Sequence, residues 1–278
     1  MYNFDNFIKD LNIEISNSNP IWDIKGLVDE TGKVYSLGTD TKLIGRVFEL
    51  VIAPSIKSFC DKNNLDYITP KGQNIYPDFT LGYFENGIKK YVAIDVKTTY
   101  LQKNAKGIIK KYNITLGSFN SFMRNNTKNI CFPYDQYTHH FVIGFVYERN
   151  PDAIEGQVAS FDNIADIIPP YINSKYFIQE KHKISGDKPG SGNTENIGSF
   201  KSNNINDFIE GNGPFKYLGK EIFEVYWQNY PRTRSAKHYS SLPSFFEWLK
   251  TKKIYSEDEI ERFEEIYNKW KNDYPYIL

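Results

Sequence analysis

The sequence predicts a mixed α/β fold, a central mixed β-sheet flanked by helices, from three observations. Glu85-Asn86-Gly87 lies between two apolar runs, and Asn-Gly in that setting is the strongest short-range hairpin signal. Phe141–Tyr147 is apolar almost throughout, as in a central strand buried on both faces. Apolar residues recur at helical spacing at Leu43, Val47, Leu50 and Val51, and again at Ile260, Phe263, Ile266 and Trp270.

In chain order, residues 3–11 read as a short helix and residues 32–37 as a short strand. Thr39-Asp40-Thr41 is a helix-start signal for the segment from Lys42 onward, which Pro54 is expected to kink or split. The Asn86-Gly87 hairpin follows, then a helix over 115–126, the central strand and a strand over 176–180. Residues 185–199 hold four glycines and hardly any apolar residue, so they read as a loop. Helices resume over 221–230, 243–252 and 257–273. No linker or internal repeat stands out, and the 278 residues are expected to form one domain carrying the 185–199 loop and a C-terminal helical extension over about 252–278.

The chain has 34 basic and 34 acidic residues, for a formal net charge of zero. That speaks against a nucleic-acid binder relying on an overall basic excess, and leaves open one that concentrates its basic residues locally. Two cysteines, Cys60 and Cys131, are too few for a disulfide framework or a Cys-rich zinc site, and are expected to be buried free thiols in a reducing cytoplasm. The N-terminus lacks the basic-then-apolar run of a signal peptide, and no apolar stretch approaches the ~20 residues of a membrane span. A cytoplasmic protein with no membrane partner is expected.

The chemistry concentrates on the hairpin. A two-residue turn at Asn86-Gly87 sets Glu85 against Ile88, and counting back along both strands sets Asp78 against Asp95. Lys97 is two residues on from Asp95 and projects from the same face. Like charges directly opposed destabilise a sheet, so two carboxylates held there ask for a cation, and a hard divalent ion such as Mg²⁺ suits oxygen ligands. Cleaving a phosphodiester needs an activated water, a stabilised phosphorus centre and a neutralised leaving oxygen. Metal held by carboxylates with an ammonium nearby serves these needs. Glu49, in Phe48-Glu49-Leu50, is a candidate fourth member. By themselves the residues also fit strand-edge charges with a solvated lysine, although Asp95 lies in the apolar run Val92–Val96, where an unpaired charge is costly.

At these residues the chain resembles the EcoRV-type restriction endonucleases of the PD-(D/E)xK nuclease superfamily. The resemblance rests on an ordered set: Gly38–Lys42, Phe48–Leu50, Gln73-Asn74, Tyr76–Leu81, Ile94–Tyr100, Arg124–Ile130, Asp135–Tyr137, Gly190–Thr194, Asn196–Ser199, Tyr226-Trp227 and Asn229-Tyr230. It spans roughly residues 25–250. It implies a PD-(D/E)xK restriction-endonuclease-like fold and a homodimeric type II enzyme. That enzyme cuts double-stranded DNA at GATATC with Mg²⁺, leaving blunt ends with 5′-phosphates, and is paired with a cognate DNA adenine methyltransferase. Asp78 and Asp95 would bind metal, Glu49 would be an accessory acid near it, and Lys97 would be the catalytic lysine. Gly190, Gly192, Asn193 and Thr194 would belong to a loop entering the major groove, and Gln73 to one approaching the minor groove. Thr115, Ser121, Lys128, Arg232 and Thr233 would contact phosphates.

The loop chemistry agrees with that role. Glycines let backbone approach base edges, Asn193 suits adenine N6/N7, and the Thr194 methyl suits a thymine methyl. Two positions depart from the pattern: Gly72 precedes Gln73 where the family has two glutamines, and Glu195 stands in place of a threonine. Other readings are a repair or structure-specific nuclease, a catalytically silent DNA-binding module, and a carbohydrate-active enzyme, the last suggested only by the 16 % aromatic content. The four histidines show no usable spacing and read as structural or surface residues.

Overall fold

The computed structural model describes every residue except 1, 191–194, 233, 234, 236 and 278. Its elements in chain order are α1 (Phe7–Ser18), β1 (Gly26–Val28), β2 (Lys33–Ser36), α2 (Thr41–Asn63), β3 (Asp66–Ile68), β4 (Phe79–Glu85), β5 (Ile88–Tyr100), β6 (Thr115–Ser118) and β7 (Tyr137–Arg149). There follow β8 (Val158–Ser160), β9 (Tyr171–Glu180), α3 (Lys181–Ile184), β10 (Ser185–Pro189), β11 (Asn196–Ser199), α4 (Ile205–Glu210), α5 (Pro214–Leu218), α6 (Lys220–Asn229), α7 (Leu242–Lys252) and α8 (Glu257–Asp273). The architecture is mixed α/β, with a five-stranded sheet in the order β3-β4-β5-β7-β9 and two three-stranded sheets, β1-β2-β8 and β10-β11-β6.

The chain forms two compact units, Met1–Tyr67 with Val96–Lys110 and Ile143–Phe177, and Ile68–Asp95 with Lys111–Val142 and Ile178–Leu278. In the first, α1 buries Phe7, Leu11 and Ile15 against α2, with the Phe7 and Phe59 rings edge-to-face at 5.3 Å. Phe48 on α2 stacks on Phe145 of β7 at 4.3 Å. Asp40 caps α2 by accepting from the backbone N–H groups of Lys42 and Leu43. Pro54 lies inside α2 without splitting it. It removes one backbone donor, while Ile52, Ser55 and Ile56 around it are buried and hold both turns to the core.

The β1-β2-β8 sheet of this unit pairs Leu27 with Tyr35 and Tyr35 with Val158. Those three residues make one row across one face, and they are 56 %, 42 % and 52 % exposed. An apolar row open to solvent on a regular sheet is the opposite of the usual polar-out alternation.

In the second unit, the β4–β5 ladder runs from Glu85↔Ile88 at the turn to Phe79↔Ile94 without a break. Asn86 and Gly87 have φ of 50° and 77°, the two left-handed residues that a tight hairpin turn requires. The helices α4 to α8 surround an aromatic cluster that includes Tyr226, Trp227, Tyr239 and Phe245. The C-terminal α8 packs on α5 and α7 and buries Ile260, Tyr267 and Trp270. Trp270 Nε1 donates to the Asn212 carbonyl at 2.8 Å, Tyr276 Oη donates to Asp207 at 3.3 Å, and Phe246 meets Tyr267 edge-on.

Three expectations are corrected. The segment 115–126 is a strand, β6, followed by turns, and not a helix. Gly117 sits at φ 93°, which no helix allows, and β11 supplies a partner strand through Asn196↔Ser118 and Gly198↔Thr115. The stretch 185–199 is not a plain loop: β10 and β11 form antiparallel strands on either side of residues 190–195. Its glycines serve close packing, since a Cβ at Gly198 would lie 2.5 Å from the Lys188 carbonyl oxygen. Finally, Cys60 is buried but Cys131 is only half-buried, in the bend after Ile130.

Candidate active site and DNA-recognition elements

One step beyond the last pair of the β4–β5 ladder, Phe79↔Ile94, come Asp78 and Asp95. Asp95 is 2 % exposed, and Asp78 is half-buried just before β4. Lys97 follows two residues later along β5, half-buried, with Nζ donating to the Val96 carbonyl at 3.2 Å. Strand alternation gives Asp95 and Lys97 the same face. Glu49 belongs to α2 in the other unit, half-buried and paired with Arg46. Phe48 beside it is fully buried and Leu50 exposed, so Glu49 lies at the edge of the buried face.

A second cation stands at the carboxylates. Lys181, at the start of α3, is as buried as Asp95, and its Nζ lies 3.9 Å from Asp95 Oδ2. It donates to Tyr76 Oη at 2.8 Å and sits over the rings of Tyr76 and Phe122, at 4.1 and 5.4 Å from their centroids. An ammonium can only donate, so the Tyr76 oxygen accepts there and its own proton goes to His140 Nδ1, 2.8 Å away. Burial, with the Lys181 charge adding to it, pushes the His140 pKa well below its ordinary value. The ring is therefore neutral. Tyr76 stacks on Phe122 at 4.1 Å and His140 on Tyr134 at 4.7 Å, which fixes both planes.

The sequence does not single this network out: Tyr76 falls within the Tyr76–Leu81 match and His140 reads as a structural or surface histidine. A lysine after an apolar strand is ordinarily solvated, and no local pattern distinguishes Lys181.

Two aspartates at the end of a hairpin, one of them almost fully buried, form a hard anionic oxygen set that fits a divalent ion. Among the described residues no group of three or more His, Cys, Asp and Glu is placed to hold a metal. Asp78 and Asp95 are the carboxylates that would hold such an ion, and such ions commonly complete their shell with water and substrate phosphate.

Of the residues expected to meet DNA, Thr115 lies in β6 and Gly190 directly follows β10 of the small sheet. The Gly190 N–H donates to the Asn196 carbonyl at 2.8 Å, closing the stalk under residues 191–195. Gly192, Asn193 and Thr194 lie outside the described residues, as does Thr233. Thr115 faces Gly190, whose Cβ, if present, would lie 2.9 Å from Thr115 Oγ1. The Ser121 hydroxyl is buried and donates to the Lys128 carbonyl at 2.8 Å, which turns it inward, while the Lys128 side chain is exposed. Gln73 and Arg232 are exposed. The Arg124 pKa is lowered chiefly by burial, then by the charge of Arg232, and Glu195 opposes the shift. The Glu195 backbone carbonyl accepts from the Phe119 N–H at 3.0 Å.

A family model described as restriction endonuclease EcoRV matches residues 18–250. The chain is also 40 % identical over 243 residues to the type II restriction enzyme EcoRV of Escherichia coli, an alignment that covers 86 % of this chain and 96 % of that protein. The hairpin-borne acidic pair and these matches define a type II restriction endonuclease, a DNA-binding hydrolase that cleaves DNA at a specific site. Within that class the chain belongs to the EcoRV restriction endonuclease family. Membership implies a divalent-metal cofactor. No helix among the described residues is long and apolar enough to cross a membrane.

Proposed function

We propose that this enzyme cleaves double-stranded DNA at GATATC, leaving blunt ends with 5′-phosphates, with Mg²⁺ held by Asp78 and Asp95. The observation that supports the reading is the unbroken β4–β5 register, which ends at Phe79↔Ile94, one residue short of Asp78 on one strand and of Asp95 on the other. Mg²⁺ there would polarise the scissile phosphate and lower the pKa of an attacking water. Asp78 and Asp95 hold the ion. Lys97 stabilises charge developing on the phosphate and orients the water. Glu49 serves as an accessory acid near the metal region. On this reading the carbohydrate-active and silent-module alternatives fall away, because neither calls for a lysine beside the acidic pair.

Gly190, Gly192, Asn193 and Thr194 read bases from the major groove and Gln73 approaches the minor groove. Thr115, Ser121, Lys128, Arg232 and Thr233 contact phosphates, and the Ser121 contact requires its hydroxyl to leave the Lys128 carbonyl. Glu195, which stands where the family has threonine, faces solvent and reads no base.

The enzyme acts as a homodimer in the cytoplasm, each subunit reading one half-site, and a cognate adenine methyltransferase protects host sites. The solvent-exposed row Leu27–Tyr35–Val158 supports dimerisation, since two copies meeting on it would bury what is otherwise an exposed apolar face.

Digestion of a sequenced plasmid in Mg²⁺, followed by end mapping, tests the reading. Blunt ends with 5′-phosphates in the middle of GATATC are expected. Discrete cutting at another palindrome would overturn the site, and cutting without sequence preference would overturn the mechanism of recognition.

A further inference from the structure

We propose that Lys181 is a positioning residue that serves as the resident counter-cation of Asp95, balancing the carboxylate's charge in the metal-free enzyme and weakening divalent-ion binding by like-charge repulsion. The proposal rests on the reading of Asp95 as a metal ligand.

The argument begins with burial. Asp95 and Lys181 are 2 % and 3 % exposed, and a buried charge without compensation is strongly destabilising. Lys181 Nζ stands 3.9 Å from Asp95 Oδ2. At that distance it acts on this oxygen through its charge, beyond the 2.7–3.2 Å of an ordinary hydrogen bond.

What holds the ammonium is the other side of its shell. Tyr76 Oη accepts from it at 2.8 Å, and two aromatic faces lie against it. The Tyr76 hydroxyl is turned correctly because its proton is taken up by the neutral His140 Nδ1. The chain Lys181, Tyr76, His140 thus sets a fixed positive charge beside the carboxylate from a rigid aromatic mount. Gly117 lies against both charged groups, where a Cβ would come to 4.0 Å from Asp95 Oδ2 and from Lys181 Nζ, so the backbone of β6 helps to enclose the pair.

A fixed ammonium beside a metal-binding carboxylate has two effects of opposite sign. Without metal it stabilises the fold. With metal it repels the incoming ion and raises the concentration needed for occupancy. Removing it should lower stability in chelator and strengthen divalent-ion binding, a combination that loss of ordinary packing does not produce.

The test is thermal unfolding and calorimetric Ca²⁺ titration of the full-length protein, wild type against Lys181→Met. In EDTA the variant should melt several degrees lower. Its Ca²⁺-induced rise in Tm should exceed that of wild type, and its Ca²⁺ affinity should increase at least threefold. Lys181→Arg, which keeps the charge, should return the Ca²⁺ response toward wild type. If Lys181→Met does not fold, Tyr76→Phe removes the anchoring oxygen and should show the same pair of changes at smaller size.

In the Asp95→Asn background, Lys181→Met should no longer lower stability in EDTA. A Ca²⁺ response in Lys181→Met, or in Tyr76→Phe where Lys181→Met does not fold, equal to or smaller than that of wild type would overturn the role of Lys181. The absence of any Ca²⁺ response in wild type, together with normal cleavage by Asp95→Asn, would instead overturn the metal-site reading and this inference with it.

Discussion

Thr115 of β6 stands directly beneath Gly190, so close that a Cβ added at 190 would lie 2.9 Å from Thr115 Oγ1, 3.2 Å from its Cγ2 and 3.3 Å from the Ile197 carbonyl oxygen. A β-branched threonine and a strand backbone give way poorly. Gly190→Ala should therefore displace the stalk of the recognition loop while leaving the helical core intact. The expected outcome is at least a tenfold loss of specific DNA affinity, about 1.4 kcal/mol, with little change in Tm. A gel-shift titration against cognate and scrambled duplexes measures it, and equal affinity for the cognate duplex would show that the stalk tolerates the methyl group.

Asp78→Ala and Asp95→Ala each remove a proposed metal ligand. Both should abolish cleavage in Mg²⁺, while specific binding in Ca²⁺ falls much less. Lys97→Ala should leave binding nearly unchanged and slow single-turnover cleavage by about 3–4 kcal/mol, the scale of losing one preorganised charge stabiliser. Cleavage by Lys97→Ala within tenfold of wild type would remove Lys97 from the chemistry.

The hairpin register was legible because Asn86-Gly87 admits one tight turn and hence one pairing, observed from Glu85↔Ile88 to Phe79↔Ile94, next to the two aspartates in sequence. The helix over 257–273 was legible for a similar reason, since its apolar stripe is local and its Ser256–Glu259 capping box marks its start. The small sheet was not. Gly186 and Gly198 look like loop residues in sequence, and only the approach of another strand reveals that they make room for backbone, while Gly117 serves the strand through its φ of 93°. Lys181 was illegible on the same grounds. Its burial is set by Tyr76, which lies 105 residues away in the chain, and no window of sequence contains both.

Tyr35→Glu places a charge at the centre of the exposed row on β1, β2 and β8, between Leu27 and Val158. Analytical ultracentrifugation should find wild type as a dimer and the variant as a folded monomer. A monomeric wild type, or a variant that stays dimeric, would assign the dimer contact elsewhere.

Glu14 gives a pH dependence to the first unit. It accepts from Lys62 at 2.7 and 2.9 Å and from Ser58 at 2.6 Å, and these bonds hold its pKa below the ordinary 4.5. The ionised form is therefore the one the fold favours. Its stabilisation is fully present above pH 4.5 and is lost as pH falls through the lowered value. Glu14→Gln should cost roughly 1–3 kcal/mol at neutral pH, the range for a hydrogen bond to a charged group. Urea unfolding of both proteins should show the difference shrinking below pH 4.5, and a gap that stays constant across that range would mean that ionisation of Glu14 contributes nothing.

The helix beyond the family match ties together residues that a shorter relative has no reason to keep. Tyr267 covers Phe246, and Trp270 occupies the carbonyl of Asn212. A lineage that ended near residue 250 would leave that phenylalanine facing water and that carbonyl to solvent. The fold thus couples α8 to the surface it covers. Losing the one should bring polar replacements at the other, and grafting α8 onto a shorter cousin should fail until position 246 is changed with it.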